Sequence, residues 1–399
     1  MANKKNQSPR PGWRPVKFGD VVQLSKARSQ DPLADGIERY VGLENLEPGD
    51  LRIRSWGNVA DGVTFTSVFN PGQVLFGKRR AYQRKVAVAD FSGVCSGDIY
   101  VLETKDPKVL LPDLLPFICH TDDFFDHAVG TSAGSLSPRT NWTSLADFEF
   151  VLPPPDAQVQ ICERLASAQG AVEGLWQLVD SLNVLVKSFR ENHFAGLPSE
   201  AFFRLDCAVA ESAYGPRFPA TLYSASGTVK TIRTTDMPEF GMLNFATAPT
   251  ASVPEAMAIE HRLLPGDFLI SRTGFTSGRA ATFQEPPAED GFTYIPAAFI
   301  VRLRLRAERL LSEYLVEYVQ SIAGWSGIRR IQRGTQQLNI SASALVRQRV
   351  PMPSPTEQKA FLAEMRSLVE ARTVSLQRLS STRRVLVALC NDAFVKGQR

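Results

Sequence analysis

Residues 153–194 and 353–394 are two versions of one segment, aligned without a gap at a shift of 200. Pro153 and Pro353, Pro155 and Pro355, Gln158 and Gln358, and Phe194 and Phe394 coincide. Each copy starts at a proline-rich break and ends near a glycine, Gly196 or Gly397, which is the punctuation of a helix. Ser354 and Glu357 add a capping-box spacing to the second. The first copy carries Ile161, Leu165, Ala168, Val172, Leu175, Val179, Leu182, Val186 and Phe189 at steps of four and three, the seam of a coiled coil. The second carries Leu362, Met365, Val369, Leu376, Leu379, Leu386 and Cys390 on a similar stripe, interrupted by Arg372 and Arg383. Two such helices can bury each other, at on the order of 1.5–3 kcal/mol per buried side chain. The rival reading, two unrelated surface helices, does not explain equal length, equal shift and matching ends.

The chain upstream of each helix repeats more loosely. Pro71 to Lys78 matches Pro265 to Arg272: a turn, a short apolar strand, then a basic loop. Gly130-Thr131 and Gly334-Thr335 each open a polar loop, and 148–152 and 347–352 read as final strands. Helices are expected near 113–120 and 310–322. The fold class is therefore α+β: two similar globular domains joined by two long antiparallel coiled-coil helices, a pseudo-twofold internal repeat. The expected limits are a polar tail over 1–12, a first globular domain over 13–154, a spacer helix over 155–196, a second domain over 197–353 and a second helix over 354–396. Antiparallel pairing follows from the short linker after Phe194, and about 38 helical residues make a rod of roughly 57 Å. Two similar domains on a stiff spacer suit two half-sites about a turn apart on one DNA duplex.

Composition limits the alternatives. Of 399 residues, 44% are hydrophobic and 22% charged, the balance of a folded chain. No stretch approaches the roughly 18 apolar residues of a membrane helix, and Met1 to Gly12 is polar and basic, unlike a signal peptide. Cys95, Cys119, Cys162, Cys207 and Cys390 lie far apart, with no zinc or redox spacing. They suit reduced thiols in the cytoplasm. The four histidines form no ligand cluster with them, so no metal site is expected. A net charge of +4 decides little; where the cations lie matters more.

Between Pro71 and Ala89 there is no acidic residue, while Lys78, Arg79, Arg80, Arg84 and Lys85 crowd together with Tyr82 and Gln83. Arginine can grip guanine or phosphate with two hydrogen bonds, and glutamine can read adenine. A second polar loop offers Ser135, Arg139 and Thr140. In the other half Arg272, Thr273, Thr276, Ser277 and Arg279 occupy the matching loop, and Arg329, Arg330, Arg333, Gln336, Gln337 and Asn339 the later one. All are candidate DNA contacts. A solvated charged face is the alternative for any one of them; recurrence at equivalent places favours the functional reading. Arg302, Arg304 and Arg306 alternate with apolar residues as on the outer face of a strand and are left out of the site.

Together these features resemble the specificity subunits of type I restriction–modification enzymes. The likeness rests on Tyr40 to Leu46, on Leu264 to Gly274, on Gly334 to Ile340, on Val350 to Pro353 and on Glu357-Gln358, and it covers nearly the whole chain. It implies target-recognition domains that each read one half of a split DNA sequence. It implies helices that dock methyltransferase (modification) subunits, with an endonuclease/translocase subunit joining for cleavage. It implies no catalysis and no cofactor on this chain, with S-adenosylmethionine on the methyltransferase partners. The chain departs from the pattern at Pro154 and Asp156-Ala157, where an acidic pair is usual, and at Arg372 and Arg383.

Other classes are weaker. Gly130 to Gly134 fits the nucleophile-elbow spacing of a hydrolase, but that motif needs a strand before it and a helix after it. Asp98 with Glu103 and Lys105 has the residue types of a metal-dependent nuclease, at a loose spacing. No glycine-rich cofactor loop or Asn-Pro-Pro-aromatic tetrapeptide marks a methyltransferase. A coiled-coil scaffold that binds no DNA is the remaining alternative.

Overall fold

The computed structural model describes residues 11–237, 241, 243–286, 291–334 and 338–395. Most of the expected N-terminal tail, residue 396 and Gly397 fall outside them. The chain divides into two compact units, Met1–Leu178 with Ser375–Arg399, and Val179–Val374. The division falls within the long helices, Pro155–Ala195 and Pro355–Val395. Each unit therefore owns the start of one helix and the end of the other.

In the first unit a four-stranded antiparallel sheet has the order Val22–Leu24, Ile99–Thr104, Val74–Gly77, Val86–Val88. A second sheet pairs Arg39–Val41 in parallel with Gly93–Cys95, which also pairs with Ser67–Phe69. Arg14–Lys17 pairs with Glu149–Leu152, the strand that leads into the first long helix. The second unit repeats the plan. Its four-stranded sheet runs Val209–Tyr214, Ile300–Leu305, Phe268–Ser271, Ala280–Thr282. Val229–Ile232 pairs in parallel with Thr293–Pro296, and Phe202–Arg204 with Arg349–Pro351. Two strand-order patterns this alike in one chain establish the duplication without any appeal to residue identity.

The repeat extends to single hydrogen bonds. Buried Gln158 accepts from Leu111 N at 2.9 Å and donates to Val109 O at 2.8 Å and Pro153 O at 2.9 Å. Buried Gln358 accepts from Leu311 N and donates to Arg309 O and Pro353 O, each at 2.8 Å. The amide ties the first turn of a long helix to backbone groups that would otherwise be buried unpaired. In the first unit Asp122 N, at a helix start, donates to Asn391 on the second long helix. In the second, Ile322 N donates to Glu191 on the first. The two long helices thus trade roles between units.

Along the first helix Leu165, Val172, Val179 and Val186 are buried at steps of seven, as a coiled-coil seam requires. In the first unit Trp176 lies 5.3 Å from the Arg383 guanidinium. In the second, Phe361 stacks on Phe189 at 5.3 Å and on His193 at 4.1 Å. In the first unit Ala157 and Ile161 line one cleft with Leu389 and Ala393, and Trp176 lines another with Leu379 and Arg383; rising numbers on one segment meet falling numbers on the other, so the two run antiparallel.

Three readings of the sequence need correcting. The helices do not bury only each other: Leu165, Val172, Leu379, Leu386 and Cys390 share one core cluster with Leu114, Phe117 and Ile118, and Phe194, Phe361 and Met365 share another with Tyr314 and Tyr318. Leu376 is exposed, and Ser375 is the buried neighbour. Arg302 does not face solvent: it is 1% exposed and bonded to Glu211, while Arg304 joins Glu211 at 2.8 Å and buried Asp267 at 2.9 Å. Two carboxylates on neighbouring segments neutralise these arginines, which periodicity along one strand cannot reveal.

A candidate nucleic-acid interface

Each unit builds the same loop pair at the end of its central strands. After Val74–Gly77, Thr140 N donates to Lys78 O at 3.0 Å, and Lys78 N donates to Asp98 O at 3.0 Å. Arg80 N donates to Pro138 O at 2.7 Å, and Ala133 and Arg139 exchange both backbone bonds at 3.0 Å. In the second unit Ile340 N donates to Arg272 O at 2.8 Å, Arg272 N to Phe299 O and Gly274 N to Leu338 O, both at 2.9 Å. Arg333 and Asn339 close the matching hairpin at 2.8 and 2.9 Å. Gly134 and Gly334 occupy its turn with φ of 111° and 101°. The counterpart of Gly334 is therefore Gly134, and the sequence pairing of Gly334 with Gly130 is four residues out. Gly130 ends a helix, Asp122–Gly130.

The backbone match exposes an asymmetry. Gly274 and Gly278 have φ of 76° and 93°, which glycine adopts freely. Their counterparts are Arg80 and Arg84, at 53° and 55°, where a side chain costs about 1–2 kcal/mol. The first unit keeps arginines where the second shows that glycine closes the same loop. Strain held at a loop tip in this way points to a use for the side chain.

The expected contact residues fall into distinct groups. Arg79 donates to Ser137 Oγ at 3.0 and 2.9 Å and to Asp98 at 3.3 Å. Arg139 pairs with Asp98 at 2.7 Å, and Lys78 Nζ lies 4.5 Å from the Tyr100 ring centre. The two guanidinium groups, Arg139 first, hold the Asp98 carboxyl below its usual pKa. Ser135 is exposed beside them. Tyr82 is exposed on the intervening turn, with Gln83 half-buried. Arg84 turns elsewhere, to Asp122 at 2.7 Å and over the Phe125 ring at 4.6 Å, and Lys85 donates to Leu43 O at 2.7 Å. Thr140 is buried and bonds Thr131 at 3.2 Å. Lys78, Arg79, Arg80 and Arg139 are thus brought together, with Thr140 buried behind them, while the Arg84 and Lys85 side chains turn away.

In the second unit Arg272 stacks on Tyr214 at 4.5 Å and donates to Asn339 Oδ1 at 3.2 Å. Thr273 bridges to Asn339. Thr276 bonds Ser271 at 2.9 Å, buried Ser277 accepts from Gln332 at 3.2 Å, and Arg279 donates to Met237 O at 3.2 Å. These three shape the loop from behind. Arg329 and Arg330 are exposed at the end of the helix Ile322–Ile331, and exposed Arg333 follows. Gln336 and Gln337 lie outside the described residues. Periodicity missed Tyr214 and the exposed apolar side chains Phe275, Phe299 and Leu338. An aromatic inside the glycine-flanked run 273–278 was the available signal.

The geometry is unlike the rival enzymes. Ser132 follows a helix and precedes the hairpin, the reverse of a nucleophile elbow, and its hydroxyl donates to Ala128 O at 2.7 Å. Asp98 is held by two arginines, and Glu103 accepts from Gln23 and Gln73 at 2.9 and 2.6 Å. Among the described residues no cluster of His, Cys, Asp and Glu could hold a metal, and no helix is long and apolar enough to cross a membrane.

Two heads of one topology, each seated on the start of one long helix and the end of the other, define an internally duplicated two-headed fold. Comparison with known proteins is consistent with that class. The specificity subunit of the type I restriction enzyme EcoDI of Escherichia coli is 28% identical over 196 residues, 47% of this chain and 40% of the relative. The aligned part thus spans less than half of that relative's length. A chain from a structural study of complex assembly and conformational transition in a type I restriction–modification system has a TM-score of 0.61 at 18% identity. It covers 97% of this chain and 98% of its own. The S subunit of a type I system from M. genitalium has a TM-score of 0.52 at 13% identity, over 99% and 98%. No protein-family model matches. The chain therefore resembles type I specificity subunits in fold over nearly all its length and in sequence over about half.

Proposed function

We propose that this chain is the DNA-recognition subunit of a type I restriction–modification complex, acting in the cytoplasm and without catalysis of its own. Each unit reads one half of a bipartite duplex site, and the long helices set the spacing and dock methyltransferase subunits. Those partners bind S-adenosylmethionine, and an endonuclease/translocase subunit joins the assembly for cleavage. The observation that carries this reading is the duplicated loop pair, which presents cationic side chains in both heads, although at different positions of the shared backbone. Lys78, Arg79, Arg80 and Arg139 serve the first head; Arg272, Arg329, Arg330 and Arg333, with Asn339, serve the second. Arginine suits both phosphate and guanine, and asparagine suits adenine.

Mapping of the bases methylated by the assembled complex is the direct test. Methylation confined to one split sequence is expected. Charge reversal of Lys78, Arg79 and Arg80 should abolish choice at one half-site, and reversal of Arg329, Arg330 and Arg333 at the other. Unchanged sequence choice in either variant would overturn that head's assignment. A scaffold without DNA contacts would show no salt-dependent duplex binding, whereas recognition requires log K to fall steadily with log salt.

A further inference from the structure

Phe275 is fully exposed at the tip of the second head. It sits in a single tight turn, Gly274–Thr276, flanked by the positive-φ glycines Gly274 and Gly278. Two more exposed apolar side chains share its edge. Phe299 is joined through its carbonyl to Arg272 N, and Leu338 through its carbonyl to Gly274 N, both at 2.9 Å. The same hydrogen bonds identify the counterparts in the first head as Asp98 and Pro138, and the counterpart of Phe275 is Ala81, which is buried. One backbone thus presents a carboxylate between two arginines in one head and an apolar tip in the other.

An exposed phenylalanine is unfavourable in water and becomes favourable once an apolar surface covers it. The residues around it indicate which surface. Arg272 and Arg333 supply cations at the loop and hairpin, so the partner is an anion overall. Asn339 has its Oδ1 engaged by Arg272, so the amide group it can still offer a base is a donor, and a purine N7 is the matching acceptor in the major groove. In the major groove of a duplex the apolar feature is the 5-methyl group of thymine.

We propose that Phe275 is a specificity-determining residue that seats on a thymine methyl in the half-site read by the second head. This rests on the DNA-recognition reading above and adds to it a base and an atom. The first head lacks the device, so the two half-sites are read by different chemistry.

The test uses the full chain assembled with its methyltransferase partner and a duplex carrying the mapped site. Each thymine is replaced in turn by uracil, which lacks the methyl and keeps every hydrogen-bonding group. One replacement in the second half-site should weaken binding about five- to tenfold, and none in the first should do so by contact with Phe275. Phe275→Ala should weaken binding to the unmodified site by a similar factor, become indifferent to that uracil, and leave the salt slope unchanged, since no phosphate contact is lost. Its side chain touches solvent, so an unchanged urea midpoint shows that the fold is intact. A half-site without thymine, a series with no sensitive position, or a variant that keeps the sensitivity would each overturn the proposal. So would a rise in 2-aminopurine fluorescence on binding that vanishes in Phe275→Ala, which would mean that the ring unstacks bases instead of touching a methyl. Absence of any duplex binding by the unaltered complex would instead overturn the recognition reading itself.

Discussion

Arg80→Gly should make the protein more stable and worse at binding DNA. Arg80 holds φ at 53°, a conformation that costs a residue with a Cβ about 1–2 kcal/mol. Glycine relieves this and gives back about 0.5–1 kcal/mol through its freer unfolded chain. The backbone bond from Arg80 N to Pro138 O, 2.7 Å, is available to either residue. The Arg80 Nε is buried without a hydrogen-bond partner, and removing it lifts a further desolvation penalty. The net expectation is a gain of about 1 kcal/mol, read as a higher urea midpoint at constant slope. Duplex affinity should fall by about 1–3 kcal/mol if the guanidinium meets a base edge or phosphate. The mirror experiment is Gly274→Ala in the second unit, where φ is 76° and an added Cβ meets nothing within 4 Å. That change should cost about 1 kcal/mol through the backbone alone. If Arg80→Gly lowered the urea midpoint, or left duplex binding intact, the argument that strain is kept for contact would be refuted.

Further outcomes are expected elsewhere in the molecule. Gln358→Ala strands Leu311 N–H and the Arg309 and Pro353 carbonyls and should cost about 2–4 kcal/mol, followed by the fluorescence of Trp325, the sole tryptophan in Val179–Val374. His120 is buried, with its pKa lowered from 6.5 to about 4 by burial first and then by Arg84 and Arg383. The fold thus keeps the ring neutral, so its contribution is full above pH 6.5 and is lost as pH falls towards 4. Denaturation at pH 7 and pH 5 should differ by about 2 kcal/mol from this group, and His120→Gln should remove that difference. Asp98→Asn frees Arg79 and Arg139 from their shared anion; binding to unrelated duplex should tighten several-fold with a steeper salt slope, while discrimination at the first half-site drops.

Much of the architecture was legible because it is periodic. A shift of 200 and a four-three spacing survive any detail of packing, and they led to the helices, the order of parts and the antiparallel pairing. What was missed depends on neighbours distant in the chain. Phe361 falls off the second stripe as read, yet it is the ring on which Phe189 and His193 stack. Arg383 reads as a flaw in the seam until Asp50, fully buried, is found 2.9 Å away. Arg84 belongs to a basic run in sequence but turns to Asp122, because a left-handed residue redirects the chain by more than run composition can show. Charge singled out the basic runs in the sequence, while the exposed Phe275 was passed over, since an aromatic residue in a sequence is more often core than surface.

The paired glutamines have a consequence for how such a chain can change. Gln158 and Gln358 use the same three kinds of backbone group, spaced identically from their helix starts. Each head therefore meets the start of one long helix through the same three hydrogen bonds. A head exchanged for another would have to keep these three bonds together with the apolar contacts that Leu114, Phe117 and Ile118, or Tyr314 and Tyr318, make with the helices, so a block of coding sequence carrying all of them can move as a unit where stepwise change would break one at a time.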